Sequence, residues 1–494
     1  MKVLLIGMDG CHEDVFKRGG TPFTTELLSS HQHLAIDNDL ISRGWLEIAL
    51  GQHASQTTAL YDKPKANGSL DWSTEFSLPE VPAFGSAVKP IWQRINEMGY
   101  SVGVANLPTT FPAPDVNGFF ISGGGGGAPV TESATPALCH PDDILPTLNE
   151  HGYIVDDRLY QMVVEKKLNS AQKILERLAF KNERRTESFI ALNERFDVDF
   201  GFIVFKTSSV VVETLLNGEY CRRRNSKNTP DERMVEAAQD YYRNFDEQIR
   251  KLRAAYPDAE FVFVSDHGTI QRSHSVNPNI LLQQNGLQRV EKRKDLVKSL
   301  VSFIKSKVPF ALKHALKKTS ITNLKAAGSY NFDQATTVAF CKTINDWSHG
   351  IFINDTRRFG GPVLEAEILE TRDRIVELIN SNAEARKHGI VARVLADGPN
   401  AVLDHFPDIQ LVLPNGYLTS DKGQTFIAEY NPPECPSSLA AVMRGDILSV
   451  KSHSPLAYFS SSVCEKIDDD RLRGDLTVVY DRLVELFSDI EAAR

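Results

Sequence analysis

Phe261-Val-Phe-Val-Ser-Asp-His-Gly268 reads as a buried strand that stops abruptly. Its first four residues are apolar with no polar alternation, the pattern of a strand covered on both faces. Ser265 closes the run, Asp266 and His267 stand side by side, and Gly268 lets the chain turn. Three other runs have the same form: Val3–Met8, Val102–Ala105 and Phe200–Phe205. Helical patterns lie between them, over Val88–Met98, Leu159–Leu192 and Asp231–Ala255. This alternation predicts a doubly wound α/β sheet with helices on both faces. Ligands of such sheets bind outside the carboxyl ends of the strands. Three of those ends carry suggestive polar residues: Asp9, the Thr207–Ser209 stretch, and Asp266–His267.

The 494 residues are 41% hydrophobic and 24% charged, which excludes wholesale disorder and a coiled-coil rod. At roughly 150 residues per domain the length suggests about three domains, although one large α/β domain absorbs much of it. A membrane-spanning helix needs roughly 18 consecutive apolar residues. The longest runs here are about six, so no integral membrane segment is expected. Lys2 followed by Val3–Met8 imitates a signal peptide, but Asp9 ends the run and no small-residue cleavage site follows. Cys11, Cys139, Cys221, Cys341, Cys435 and Cys464 lack paired spacing, so reduced thiols and a cytoplasmic location are expected.

The net charge of -9 is small for this length and argues against an overall nucleic-acid binder. It is also uneven. Gly286–Gly328 carries eleven Lys and Arg against two acids, a local +9 that leaves -18 on the rest. There, Leu296, Leu300, Val301, Ile304 and Val308 recur at helical spacing, so an amphipathic basic helix is expected. It is either a solvated face or a cap that attracts an anionic substrate, a lipid headgroup or nucleic acid. Gly123–Gly127 must be loop, either a flexible connector or a segment passing close to a phosphate.

Adjacent Asp266 and His267 suit a divalent metal, one through oxygen and one through imidazole nitrogen. Asp9 and Gly10 leave the first strand in the same manner. Ser42 precedes a short helical pattern in Ile41-Ser-Arg-Gly-Trp-Leu-Glu-Ile-Ala-Leu-Gly51. A serine there is first of all an N-cap. It also stands where a helix start would meet a phosphoryl group, and a metal on its oxygen would make it a nucleophile. Arg43 beside it suits the non-bridging oxygens.

Taken in order, these segments resemble the alkaline phosphatase superfamily, in particular its type I phosphodiesterase/nucleotide pyrophosphatase-like branch. The resemblance rests on Asp9-Gly10, on Ser42 through Trp45 to Gly51, and on Ile91–Gly99 with Val102–Gly118. It continues through Ser265–Gly268 with Asn277 and Asn279, Phe332–Gly361 with Gly350–Asn354, and His453 in Ser452-His-Ser-Pro455. It implies a three-layer fold, a mostly parallel mixed sheet between helix layers. It also implies a core over 1–285 and 329–494 that carries 286–328 as a basic insertion or cap.

The family site holds two metals, commonly zinc, with manganese or magnesium as alternatives. By resemblance one metal would use Asp9, the Ser42 oxygen, Asp266 and His267. The other would use His453 with an Asp and a His four residues later. Here the chain departs, because Ser209 replaces the Asp and Glu213 the His; a register one residue earlier offers Ser208 and Val212. Three readings follow: one metal suffices; a second binds weakly through Glu213, His453 and a substitute such as His274; or hydrolysis is lost and binding kept.

The implied activity is hydrolysis of an anionic phosphoester, a phosphodiester or nucleotide, through a phosphoseryl intermediate on Ser42. Phosphotransfer and a degenerate, anion-binding member are the alternatives. His349 and His53 are candidate acids for the leaving group, each with a structural role as the plainer reading. The formylglycine sulfatase pattern is not matched, since Ser42 lacks its following Pro and Arg, which argues against that route. Specificity would lie in Gly286–Gly328 and Asp397–Val450. Nucleic acid would engage only through the basic 286–328 segment. Oligomeric state is not legible.

Overall fold

The computed structural model describes the chain apart from residues 18–19, 74–75, 77–87, 126–127, 130, 157–158, 160–161, 163–164, 166, 207–210, 212–232, 291–331, 343–349, 395–402, 421–422, 431–448, 465–472 and 493–494. It divides into two compact units. One comprises Met1–Ala59, Glu75–Arg272 and Asn431–Arg494, the other Leu60–Thr74 and Ser273–Tyr430.

The first unit is built on an eight-stranded sheet. In chain order its strands are β1 (Val3–Met8), β2 (His31–His33), β3 (Val102–Leu107), β4 (Gly118–Ser122), β5 (Cys139–His140), β6 (Phe200–Phe205), β7 (Glu260–Val264) and β8 (Ala457–Ser460). Across the sheet they run β2-β8-β7-β1-β6-β3-β4-β5. The inner set β7-β1-β6-β3-β4 is parallel. Strands β8 and β5 flank it antiparallel, and β2 pairs antiparallel with β8. Both β1 and β6 are buried at every position, which is why they read as unbroken apolar runs.

Helices cover both faces. They are α1 (Pro22–Leu28), α2 (Gly44–Leu50), α3 (Ile91–Glu97), α4 (Ala171–Phe196), α5 (Arg233–Ala255) and α6 (Thr477–Ala492). On one face Leu178 and Phe189 of α4 and Phe245 and Ile249 of α5 share a core with Leu4, Ile6, Ile203 and Phe205. On the other, Trp45 of α2 meets Phe202, Phe487 of α6 meets Phe200, and Trp92 of α3 meets Phe120. Phe202 and Ile203 point to opposite faces because strand side chains alternate. The expected three-layer, mostly parallel mixed sheet is therefore present.

Helix boundaries differ from the sequence pattern. Helix α4 begins at Ala171, where the Ser170 hydroxyl accepts the Lys173 amide at 3.2 Å and caps it; Leu159 and Met162 are helical too, ahead of that cap. Helix α1 is fastened to α5 by Asp246, whose carboxylate accepts the amides of Phe23 and Thr24 and the Thr24 hydroxyl.

After β6 the chain runs through α5 to β7 on the far side of β1. The carboxyl ends of β6, β1 and β7 therefore flank a switch point, where α/β sheets open a crevice.

In the second unit, strands Ala339–Cys341, Gly350–Ile353, Ile409–Val412 and Val391–Arg393 form an antiparallel sheet in that spatial order. Helix Ile368–Ser381 joins its core through Ile375 and Ile379. Arg358 is wholly buried between Asp355 and Asp408. Most of the basic segment, with its expected helix, lies outside the described residues, as do Glu213, Ser208, Ser209, Val212 and His349.

Candidate active site

The β1–β7 register pairs Gly7 with Val264. Two residues on, Asp9 and Asp266 leave neighbouring strand ends together. One ligand atom each from Asp9, Asp266 and His267 lies within 4.8 Å of the others. Among the described residues this is the only such group of three or more metal-ligating side chains. Gly10 donates its amide to Asp266 Oδ1 at 3.2 Å, and Trp45 Nε1 donates to Asp9 Oδ2 at 3.2 Å. His267 Nδ1 lies 2.7 Å from the Gly268 carbonyl. A carbonyl can only accept, so Nδ1 carries the proton and Nε2 presents its lone pair.

Burial pushes both carboxyls above their ordinary range, and for Asp9 the neighbouring Asp266 adds to it. Burial also pushes His267 down to about 3, with the Lys451 charge assisting. Two crowded carboxyls and a neutral imidazole are costly to bury alone. A divalent cation relieves that cost, and the oxygen, oxygen and nitrogen donors fit one.

Glycines bring the Ser42 segment to these strand ends. A Cβ on Gly7 would stand 2.8 Å from the Trp45 ring, and one on Gly44 would collide with the Asp266 carbonyl. Asn38 Nδ2 donates to that same carbonyl at 2.6 Å. Ser42 is buried, but it is not the N-cap of α2. Arg43 takes that position, with its own amide on the Ala59 carbonyl. The N-cap reading of Ser42 is thereby corrected, and its hydroxyl is left for other partners.

Its neighbour is His53, one of the two candidate acids, set between two carboxylates that the sequence does not single out, Asp39 and Glu47. Asp39 Oδ1 accepts the amides of Ile41 and Ser42, at 2.9 and 3.2 Å. Its Oδ2 lies 2.9 Å from His53 Nε2, which lies 3.5 Å from Ser42 Oγ and 3.6 Å from Glu47 Oε1. Burial pulls the His53 pKa down, but Asp39 and Glu47 outweigh it and hold it at about 9. Burial and the nearby Asp39 charge raise Glu47 to about 8. Burial opposes ionisation of Asp39 too, yet the His53 contact holds it below the usual range. Nothing in residue type or spacing separates Asp39 and Glu47 from solvated acids.

His453 stands apart from the three converging ligands. Its Nδ1 lies 2.7 Å from the Asn38 carbonyl, which leaves the lone pair on Nε2, and Asn38 ties it to Asp266. His274 lies in the second unit, stacked on Tyr417 at 4.3 Å.

Two lysines also went unread. Lys451 pairs with Thr269 in the ladder Gly268–Gln271 with Ser449–Ser452, and its charge reaches Asp9, Asp266 and His267. Lys206 follows β6. The glycine run beside it is packed at its first two positions and exposed at Gly125. Gly123 and Gly124 are buried, and a Cβ on Gly123 would meet the Asn106 carbonyl at 2.5 Å.

A family model described as type I phosphodiesterase/nucleotide pyrophosphatase matches residues 3–325. That span includes Asp9, Ser42, Asp266 and His267 and ends before His453. Among solved structures, phosphonoacetate hydrolase from Sinorhizobium meliloti 1021, in complex with phosphonoformate, is 12% identical. The match covers 98% of this chain and 96% of that one, with a TM-score of 0.52, and shows a common fold. A looser likeness, TM-score 0.42 at 12% identity, covers 99% of this chain and 95% of murine ectonucleotide pyrophosphatase/phosphodiesterase 5. No curated protein is similar enough to count as a match.

Proposed function

We infer that this chain, which belongs to the type I phosphodiesterase/nucleotide pyrophosphatase family of phosphoester hydrolases, acts through Ser42 as nucleophile with one divalent cation, zinc by preference. The observation that carries this reading is the convergence of Asp9, Asp266 and His267 at adjacent strand ends, where Gly44 lets the Ser42 segment approach. Asp9, Asp266 and His267 would hold the ion, with the Ser42 oxygen as a further ligand. When bound, such an ion supplies Lewis-acid charge and favours ionisation of a hydroxyl.

The chain's own residues do the rest. Asp39 accepts the backbone amides of Ile41 and Ser42, and His53 stands beside the Ser42 hydroxyl. Ser42 Oγ attacks phosphorus in line and the bond to the leaving oxygen breaks. Water then attacks the seryl-bound phosphorus and returns a proton to the serine, releasing phosphate from a monoester or a phosphate monoester from a diester. Arg43 donates to the non-bridging oxygens. One ion is favoured because, by the family resemblance, a serine replaces the second-site carboxylate in either register, Ser209 or Ser208.

The test combines turnover with metal content. Hydrolysis of p-nitrophenyl phosphate or bis-p-nitrophenyl phosphate in zinc or manganese should vanish in Ser42→Ala, and one ion per chain should be lost in Asp266→Asn. Activity retained in Ser42→Ala would remove the nucleophile assignment. A chain that binds no ion would remove the metal.

A further inference from the structure

The sheet end holds a cation that this chemistry leaves unused. In the β1–β6 register Met8 faces Phe205. Asp9 and Lys206 are thus the next residues on neighbouring parallel strands, whose axes lie roughly 4.8 Å apart. The Lys206 ammonium is 4.0 Å from Asp156 Oδ2. A glycine closes this pair in: a Cβ on Gly124 would stand 2.5 Å from Asp156 Oδ2 and 3.3 Å from Lys206 Nζ. The Gly124 carbonyl in turn accepts the Thr109 amide at 3.3 Å. The pair is part-exposed, at 34% and 29%, and by itself contributes little. Here bare backbone is packed against a lysine at the strand ends that flank Asp9.

The strand that ends at Lys206 also leads to the place where the family resemblance calls for second-site metal ligands. In sequence this chain carries Ser209 and Glu213 there, or Ser208 and Val212 in the register one residue earlier. Without that ion, the outer oxygens of a transferred phosphoryl group need another positive charge. We propose that Lys206, held by Asp156 and closed in by Gly124, binds a non-bridging phosphoryl oxygen and makes the enzyme selective for phosphate monoesters over diesters, an inference that rests on the hydrolase reading above. A monoester carries nearly two negative charges and three free oxygens at neutral pH. A diester carries one charge and two free oxygens, so an ammonium gains less from it. Lys206 donates hydrogen bonds and transfers no atom; Asp156 is a positioning residue.

Lys206→Met removes the charge and keeps the stem. The kcat/KM for p-nitrophenyl phosphate should fall about thirtyfold and that for bis-p-nitrophenyl phosphate about threefold or less. Gly124→Ala and Asp156→Asn should move the monoester-to-diester ratio the same way. Equal losses on both substrates, or no loss, overturn the proposal. Ser42→Ala separates the two readings, because it should silence both substrates whatever Lys206 does. If the wild-type chain turns over neither, the hydrolase reading fails and calorimetric binding decides Lys206. Inorganic phosphate should then bind about tenfold more weakly to Lys206→Met, with dimethyl phosphate changed about twofold or less. Equal changes, or no binding of phosphate by the wild-type chain, overturn it.

Discussion

His53, Glu47 and Asp39 set a pH dependence that belongs to single residues. His53 is raised from 6.5 to about 9 in the folded chain. Its contribution is complete below 6.5 and is lost as pH rises through about 9. Glu47, raised from 4.5 to about 8, acts in the same direction, losing stability as pH rises through that window. The thermal midpoint of the metal-free protein should therefore fall across pH 6.5 to about 9. Asp39→Asn should flatten that fall, because it removes the partner that raises His53 and a charge that raises Glu47. A profile as steep in the variant as in the wild type would mean that the group responsible lies elsewhere. At this scale the convergence of Asp9, Asp266 and His267 was legible, since each stands just past a recognisable apolar run, and Ser42 stood out by preceding a short helical pattern. Asp39 and Glu47 were not. Their role comes from burial beside His53, and a carboxylate looks the same in sequence whether buried or solvated.

Helix α2 reaches the site only because two positions lack a side chain. Gly7→Ala would press a methyl group against the Trp45 ring and Val204. Overpacking of this kind costs about 1–3 kcal/mol, readable as a lower urea midpoint with an unchanged slope. Gly44→Ala should cost a similar amount and also depress turnover, since it pushes the Ser42 segment off Asp266. Loss of stability without loss of turnover would separate that segment from the chemistry. Asp246→Ala should cost about 1–3 kcal/mol by leaving the Phe23 and Thr24 amides of α1 without their acceptor, with turnover retained. The strands themselves were legible because parallel strands buried on both faces leave long apolar runs. The start of α4 was not, since only the fold shows that Ser170 turns its hydroxyl back as a cap.

Across the whole molecule, the ion should couple to folding. Saturating zinc at about a hundred to a thousand times its dissociation constant stabilises by about 3–4 kcal/mol. A chelator should lower the thermal midpoint of the wild-type chain and leave Asp9→Asn nearly unmoved. An equal response in both would detach the stabilisation from the Asp9 cluster. By itself the sequence determined the strand–helix alternation, the family and the strand ends that carry Asp9 and Asp266–His267. Those are local signals, set by apolar runs, glycines and residue types in order. Only the tertiary structure decided which ends become neighbours. The crossover through α5 puts β7 and β6 on either side of β1. That topology sets Asp266 beside Asp9 and Lys206 on its other flank, and packing at Gly7 and Gly44 brings Trp45 and the start of α2 against them. Contacts between residues some two hundred positions apart depend on strand order and on close packing, and neither is written in any local stretch of the chain.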